Sequence, residues 1–319
     1  MTRMSHVVSW HFWFEPSLPT NLAVSRVLFF TGLLVFYWNE DFSAWGSVSR
    51  AFWMPVPAFE ALHLSPLSTG ALAIVQPVWR AAVALSAIGL FTRASMCIAF
   101  ALGFYLLGLP HNFGHVYHFD ALLVITMGVL ACSRAGDAWS IDRWRAGGSP
   151  PAPSGEYTWP IRVVWLAMSL VFLAAGLSKL RHGGVEWVMS ENMSIVLMRA
   201  AYHVSDADPL TTFGLWIAAR PWLARTVAFL ALSIELAFVA TLFSARARAV
   251  LVPAAIAMLV GIRVLMGPTF GGFLIANVFW VPWDAVGARL AAWIGRSTRK
   301  PQNPQRVMRR TARSVGAGR

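Results

Sequence analysis

The stretch Leu170-Val171-Phe172-Leu173-Ala174-Ala175-Gly176-Leu177-Ser178-Lys179-Leu180 closes an apolar run that begins near Ile161. A run of this length can cross the roughly 30 Å hydrocarbon core of a bilayer as one helix. A lysine stands at its end. Holding that charge at bilayer depth costs about 2.5–3.5 kcal/mol on insertion scales, so Lys179 either snorkels to the interface or serves a function. The rest of the chain repeats the apolar theme. Of its 319 residues, 57% are hydrophobic and 13% charged, and the mean hydropathy is +0.58. Soluble domains carry roughly 25% charged residues. The expected fold is all-α, a polytopic integral membrane helical bundle with about eight transmembrane helices. A membrane β-barrel would instead alternate over short segments.

Spans are expected near residues 22–38, 68–90, 94–109, 117–133, 161–180, 223–243, 248–266 and 270–283. Residues 1–21, with Trp10, Trp13 and prolines, read as an N-terminal interfacial segment. No small-residue cleavage site follows the first apolar run, so that run is expected to be a retained span. Residues 22–295 form the transmembrane domain, and within them 285–295 are amphipathic, as an interfacial helix would be. Gly147–Gly155, with three prolines, is the clearest linker.

The net charge of +12 is concentrated at one end: from Arg296 on there are eight Lys/Arg and no Asp/Glu. Residues 296–319 therefore read as a disordered basic tail whose partner is the lipid bilayer, not nucleic acid. With that tail inside, an even number of spans leaves Arg93, Arg134, Arg143, Arg145, Arg246 and Arg248 inside as well. The outside loop 39–67 then holds Glu40, Asp41, Glu60 and one Arg50, and loop 181–222 lies outside despite Arg181, Arg199 and Arg220. The expected location is a bacterial inner membrane, multi-pass, with the C-terminus cytoplasmic.

This topology brings three ionisable groups to the outer side: Lys179 ends its span there, and His118 and Asp120 open theirs. Lysine normally titrates near about 10.4. Desolvation or a cationic neighbour lowers that and turns the amine into a base or nucleophile. The structural alternative is a snorkelling lysine paired with Asp120 or a lipid phosphate. His111, His115 and His118 fall at i, i+4 and i+7 and would share one face of a helix. Imidazole suits Zn, Fe or Cu, but Gly114 interrupts the run and no metal is expected. Arg80, Glu235, Arg263 and Asn277 fall inside apolar runs, where charges need partners. Arg80 with Glu235 is the expected ion pair, with a proton relay or a substrate contact as the alternative. Asp120, His115, Glu235, Arg80 and Arg263 are the candidates for a pocket around Lys179 and His118. Cys97 and Cys132 lie in apolar runs and imply no disulfide framework. No phosphate loop, Gly-x-Ser-x-Gly elbow, His-Glu-x-x-His or paired Cys-x-x-Cys is present.

Three segments in order carry a resemblance. The first is Leu85–Arg93, ending Gly-Leu-Phe-Thr-Arg. The second is His118-Phe119-Asp120-Ala121-Leu122-Leu123, followed by Ser133-Arg134-Ala135-Gly136-Asp137-Ala138-Trp139-Ser140-Ile141-Asp142. The third is Phe172–Leu180, followed by Trp187. Over roughly residues 20–285 they resemble the HTTM family, the transmembrane domain shared with vitamin K-dependent γ-glutamyl carboxylases. The resemblance implies a reduced quinone (vitamin K-like) as cofactor, used with O₂ and CO₂. It implies that Lys179 deprotonates the hydroquinone with help from His118, and that the substrate is a secreted or membrane polypeptide. It also makes the quinone pocket the expected place for Asp120, His115, Glu235, Arg80 and Arg263. The animal motif has two adjacent lysines where this chain has one, and the animal enzymes carry a large lumenal substrate region where this chain has a basic tail. The second substrate is therefore expected to differ.

Three other readings stand beside it. DoxX-like proteins carry a similar Ala-Gly-x-x-Lys element, which implies a non-catalytic membrane subunit binding quinone or a redox partner. His111, His115 and His118 would serve a metal-dependent oxidase. Gly267–Gly272 resembles the broken helices that transporters use.

Overall fold

The computed structural model describes residues 10–114, 119–203, 209–268 and 270–298. Two compact units divide the chain, Met1–Val281 and Pro282–Arg319. Among the described residues both units are helical, apart from one isolated bridge between Ser17 and Ser154.

In the first unit α1 (Trp10–Phe14) leads into α2 (Thr20–Phe36). The expected outer loop follows with α3 (Pro57–Ala61). Next come α4 (Thr69–Ile88), α5 (Thr92–Gly108), α6 (Phe119–Cys132) and α7 (Ile141–Ala146). The second half holds α8 (Trp159–Gly183), α9 (Glu186–Met189), α10 (Asn192–His203), α11 (Pro209–Ala218), α12 (Pro221–Ala237), α13 (Ala245–Met266) and α14 (Gly271–Ala276). Local chemistry sets the ends. The hydroxyls of Ser68, Ser140 and Ser244 cap α4, α7 and α13 by accepting from Ala71, Arg143 and Ala247 N–H groups. Prolines occupy the first turns of α8 and α12, where no N–H is needed.

Among the described residues, five helical stretches are long and apolar enough to cross a membrane: Thr69–Ile88, Thr92–Phe113, Gly155–Gly183, Pro221–Leu242 and Ala245–Met266. Three shorter apolar stretches, Thr20–Phe36, Asp120–Cys132 and Gly271–Trp280, fall at the other expected spans. The break read at Gly267–Gly272 is present: α13 stops at Met266 and α14 starts at Gly271. A Cβ on Gly271 would run into the Phe36 ring, so glycine lets α14 lie this close to the end of α2 without displacing that side chain. Helices α2, α4, α5 and α6 pack in succession, α14 packs on α2 and α6, and α8 packs on α6 and α12. Their shared core includes Phe29, Phe30, Leu33, Trp79, Leu123, Met127 and Phe279.

The stretch expected as outer loop 181–222 contains three helices, α9, α10 and α11. Leu197 of α10 and Ile217 of α11, with Ala224 at the start of α12, form a second apolar cluster against Leu265 and Met266 at the end of α13. Met193, Val196 and Leu197 share one face of α10 at helical spacing, a signal that the basic residues nearby concealed.

Two of the motif segments meet at one end of the bundle. Asp142 accepts hydrogen bonds from Phe91 N (3.0 Å), Thr92 N (2.6 Å) and Thr92 Oγ1 (2.7 Å), and so caps α5 from a distant loop. Asp142 N in turn donates to Gly89 O. Arg26 of α2, a further charge inside an apolar run, is fully buried and donates through Nη2 to Trp139 O at 2.5 Å. Burial works to raise the Asp142 carboxyl, but its hydrogen bonds from Thr92 and Phe91 outweigh that, and Arg145 adds to them, so it sits below the ordinary carboxylate range. A depressed folded value means that the contribution of Asp142 is fully present above its unfolded value, about 3.9, and is lost as pH falls through the folded one. Thermal stability in detergent should therefore hold down to about pH 4 and drop below it. Asp142→Asn should flatten the acid limb while lowering the plateau.

The second unit contains α15 (Trp283–Thr298).

Candidate functional site

Between α8, α10, α12 and α13 lies a cavity of about 720 Å³. Its wall is almost wholly apolar, with Phe172 and Ala175 from α8, Met193 from α10, Ala231 from α12 and Met258 from α13. Lys179 and Glu235 are the charged residues on that wall. Lys179 Nζ donates to both carboxylate oxygens of Glu235, at 2.5 Å to Oε1 and 2.6 Å to Oε2. The Glu235 side chain is only 9% exposed and that of Lys179 28%. Trp187, just beyond α8, places its ring centroid 5.3 Å from Nζ and adds a cation–π contact.

Gly176 sets this geometry. A Cβ there would meet Leu236 Cδ2 at 2.8 Å and Glu235 Cβ at 3.2 Å. Without a side chain, α8 approaches α12 closely one turn before Lys179, so the amine reaches the carboxylate. This gives the Ala-Gly-x-x-Lys pattern a physical reason. The glycine brings the helices together and the lysine uses the proximity.

A buried pair of this kind is weak evidence for stability, since desolvation offsets much of the attraction. It is better evidence for a site. Transfer of one proton across the 2.5 Å contact would convert an ammonium–carboxylate pair into an amine and an acid. Facing an apolar cavity, such a pair can hold or exchange a proton with a ligand of matching polarity.

The expected pair of Arg80 with Glu235 is not formed. Arg80 donates through Nη2 to Tyr37 O (3.2 Å) and Glu40 O (2.6 Å), and its guanidinium lies 5.9 Å from the Trp38 ring centroid. It therefore satisfies carbonyls at the C-terminal end of α2, where a cation is electrostatically favoured. Asp120 is not the partner of Lys179 either. It accepts from the Tyr37 hydroxyl through Oδ1, and its Oδ2 lies 3.3 Å from His111 Nε2. His111 sits in a short 3₁₀ turn, Leu109–Phe113, that ends at Gly114 with φ +88°. Arg80, Asp120, Tyr37 and His111 thus form a separate polar cluster at the α2–α6 end. Tyr37→Phe should cost about 1.5–3 kcal/mol, because a hydrogen bond to a carboxylate is lost. A thermal melt checks this, and in an Asp120→Asn background, where an amide oxygen accepts in place of the carboxylate, the loss should shrink to about 0.5–1.5 kcal/mol.

Arg263 lies one turn from the end of α13 and is not on the cavity wall, although Ile262 and Met266 are. His115 and His118 lie outside the described residues. Tyr157 donates to Asp137 Oδ2 at 2.8 Å, which ties the start of α8 to the segment after α6. Helix α8 therefore runs back along α6 and carries Lys179 toward the end where Asp120 opens α6. Sequence reasoning missed the α10 wall of the cavity, with Asn192 at its start, and it missed the Lys179–Glu235 pairing.

A polytopic helical membrane protein with one ion pair set into an apolar cavity is the class that fold and site define. A family profile for the HTTM domain matches residues 14–266, and the chain belongs to that family. Searches of curated proteins and of solved structures returned no match.

Proposed function

We propose that this HTTM protein is a γ-carboxylase-like membrane enzyme that binds a reduced quinone in the cavity, with Lys179 as base and His118 as its partner. The Lys179–Glu235 pair on an otherwise apolar wall carries the reading. A quinone joins a flat apolar ring and an apolar tail to two oxygens. The cavity offers a large apolar surface and a donor and acceptor together at one place, and about 720 Å³ lies within the range of ordinary ligand pockets. When bound, a quinol supplies an acidic hydroxyl and two reducing equivalents.

The chain's own residues divide the work. Phe172, Met193 and Met258 give apolar contact, and Trp187 and Glu235 orient the amine. An ammonium cannot accept a proton, so Lys179 acts as base only after passing one to Glu235. Glu235 is then the proton store. The apolar wall keeps competing water from the amine. His118 takes its role from the family resemblance, and the proposed second substrate is a secreted or membrane polypeptide different from those the animal carboxylases take, acted on from the outer side of a bacterial inner membrane with the C-terminus cytoplasmic.

One observation favours a second reading, a DoxX-like subunit that binds quinone without chemistry: both oxygens of Glu235 already hold the amine. Oxygen uptake separates the two. Purified protein in nanodiscs, given a reduced naphthoquinone, should consume O₂ if it is the enzyme. Binding without uptake supports the subunit, and no binding contradicts both.

A further inference from the structure

We propose that α15 is an anionic-lipid-binding helix that lies in the membrane interface and works with the basic residues after it. The inference is independent of the quinone reading. Val286, Leu290 and Trp293 are 40%, 55% and 64% exposed. At 100° per residue they fall within one narrow arc of the helix, a stripe that water would not favour. Arg289 and Arg296 fall together on the arc beside Trp293, a helix position where basic residues complement a phosphate layer. Ala288 and Ala291 stand well away from the stripe. Asp284, at the start, is the helix's one acidic residue.

Charge decides the occupant. From Arg289 to Arg319 there are nine Lys/Arg and no Asp/Glu. A second protein would need an acidic face matched to that excess, whereas an anionic leaflet supplies negative charge over any area and an acyl boundary for the apolar stripe. Each basic residue near such a surface contributes about 1 kcal/mol, roughly fivefold in affinity.

The test uses the full chain, with Cys97 and Cys132 replaced, reconstituted into bilayers. Single cysteines at 286, 290, 288 and 291 carry a nitroxide whose relaxation is probed by O₂ and by a water-soluble Ni(II) chelate. With phosphatidylglycerol present, positions 286 and 290 should favour O₂ while 288 and 291 favour nickel. In phosphatidylcholine alone that contrast should shrink severalfold, and Arg289→Gln with Arg296→Gln should shrink it in phosphatidylglycerol too. Nickel access at all four positions, or exclusion of both reagents at 286 and 290, would overturn the proposal, the latter by showing a protein-covered face. A contrast identical in both lipids would remove the anionic preference.

Discussion

Lys179→Met is expected to lower quinol turnover by about 10²–10⁴-fold, the usual worth of a positioned general base. It should also lower stability by about 3 kcal/mol, at the low end for a broken buried pair because Lys179 keeps 28% of its side chain exposed. The cost arises at Glu235, which is left in an apolar wall without its cation. The two effects separate in the double variant. Lys179→Met with Glu235→Leu should regain most of the stability, since an apolar pair of similar volume is often tolerated, and should regain none of the turnover. Thermal melts in detergent read the first effect and quinol-dependent O₂ uptake reads the second. If the double variant turned over quinol at the wild-type rate, Lys179 would not be the base.

Gly89→Ala should give the largest loss of stability from a single methyl group. Gly89 ends α4 at φ +71°, a left-handed conformation that costs an L-residue about 1–2 kcal/mol. Its Cβ would stand 2.3 Å from Ser140 Cβ and 2.5 Å from Arg26 Nη1. Overpacking adds about 1–3 kcal/mol, so the sum is about 2–5 kcal/mol. The change lies at the far end of the bundle from Lys179, so quinol affinity of the folded fraction should not move. A melting curve with a binding isotherm on the same sample checks both statements.

These two variants also show what the motif segments do. Gly89 and Asp142 belong to segments that carried the family resemblance, yet they build a joint between α4, α5 and α7 and do not line the cavity at Lys179. The Phe172–Lys179 segment supplies Phe172, Ala175 and Lys179 to the cavity wall. One sequence signature therefore mixes folding with chemistry, and spacing alone could not separate them. The apolar runs were legible because bilayer thickness imposes a length that composition reveals. The place of Lys179 near the end of a long apolar helix was legible for the same reason. Its partner was not. Glu235 lies 56 positions away, and which carboxylate an amine meets depends on how α8 and α12 approach at Gly176. Arg80 misled because an arginine within an apolar run suggests an ion pair, whereas its reach carried it to carbonyls at the end of α2. The helices within 181–222 were hidden by their charges, since the apolar face of α10 is only a few residues long.

The central claim is that a quinone sits in the cavity with its polar head at Lys179. Photolabelling with an azido-naphthoquinone, followed by mass spectrometric mapping, tests it most directly. The account predicts adducts on cavity residues such as Phe172, Met193 and Met258, suppressed by excess unlabelled quinone and weakened by Ala257→Phe, which fills the cavity. Competable adducts confined to the Tyr37–Asp120–His111 cluster, with the cavity unlabelled, would contradict it.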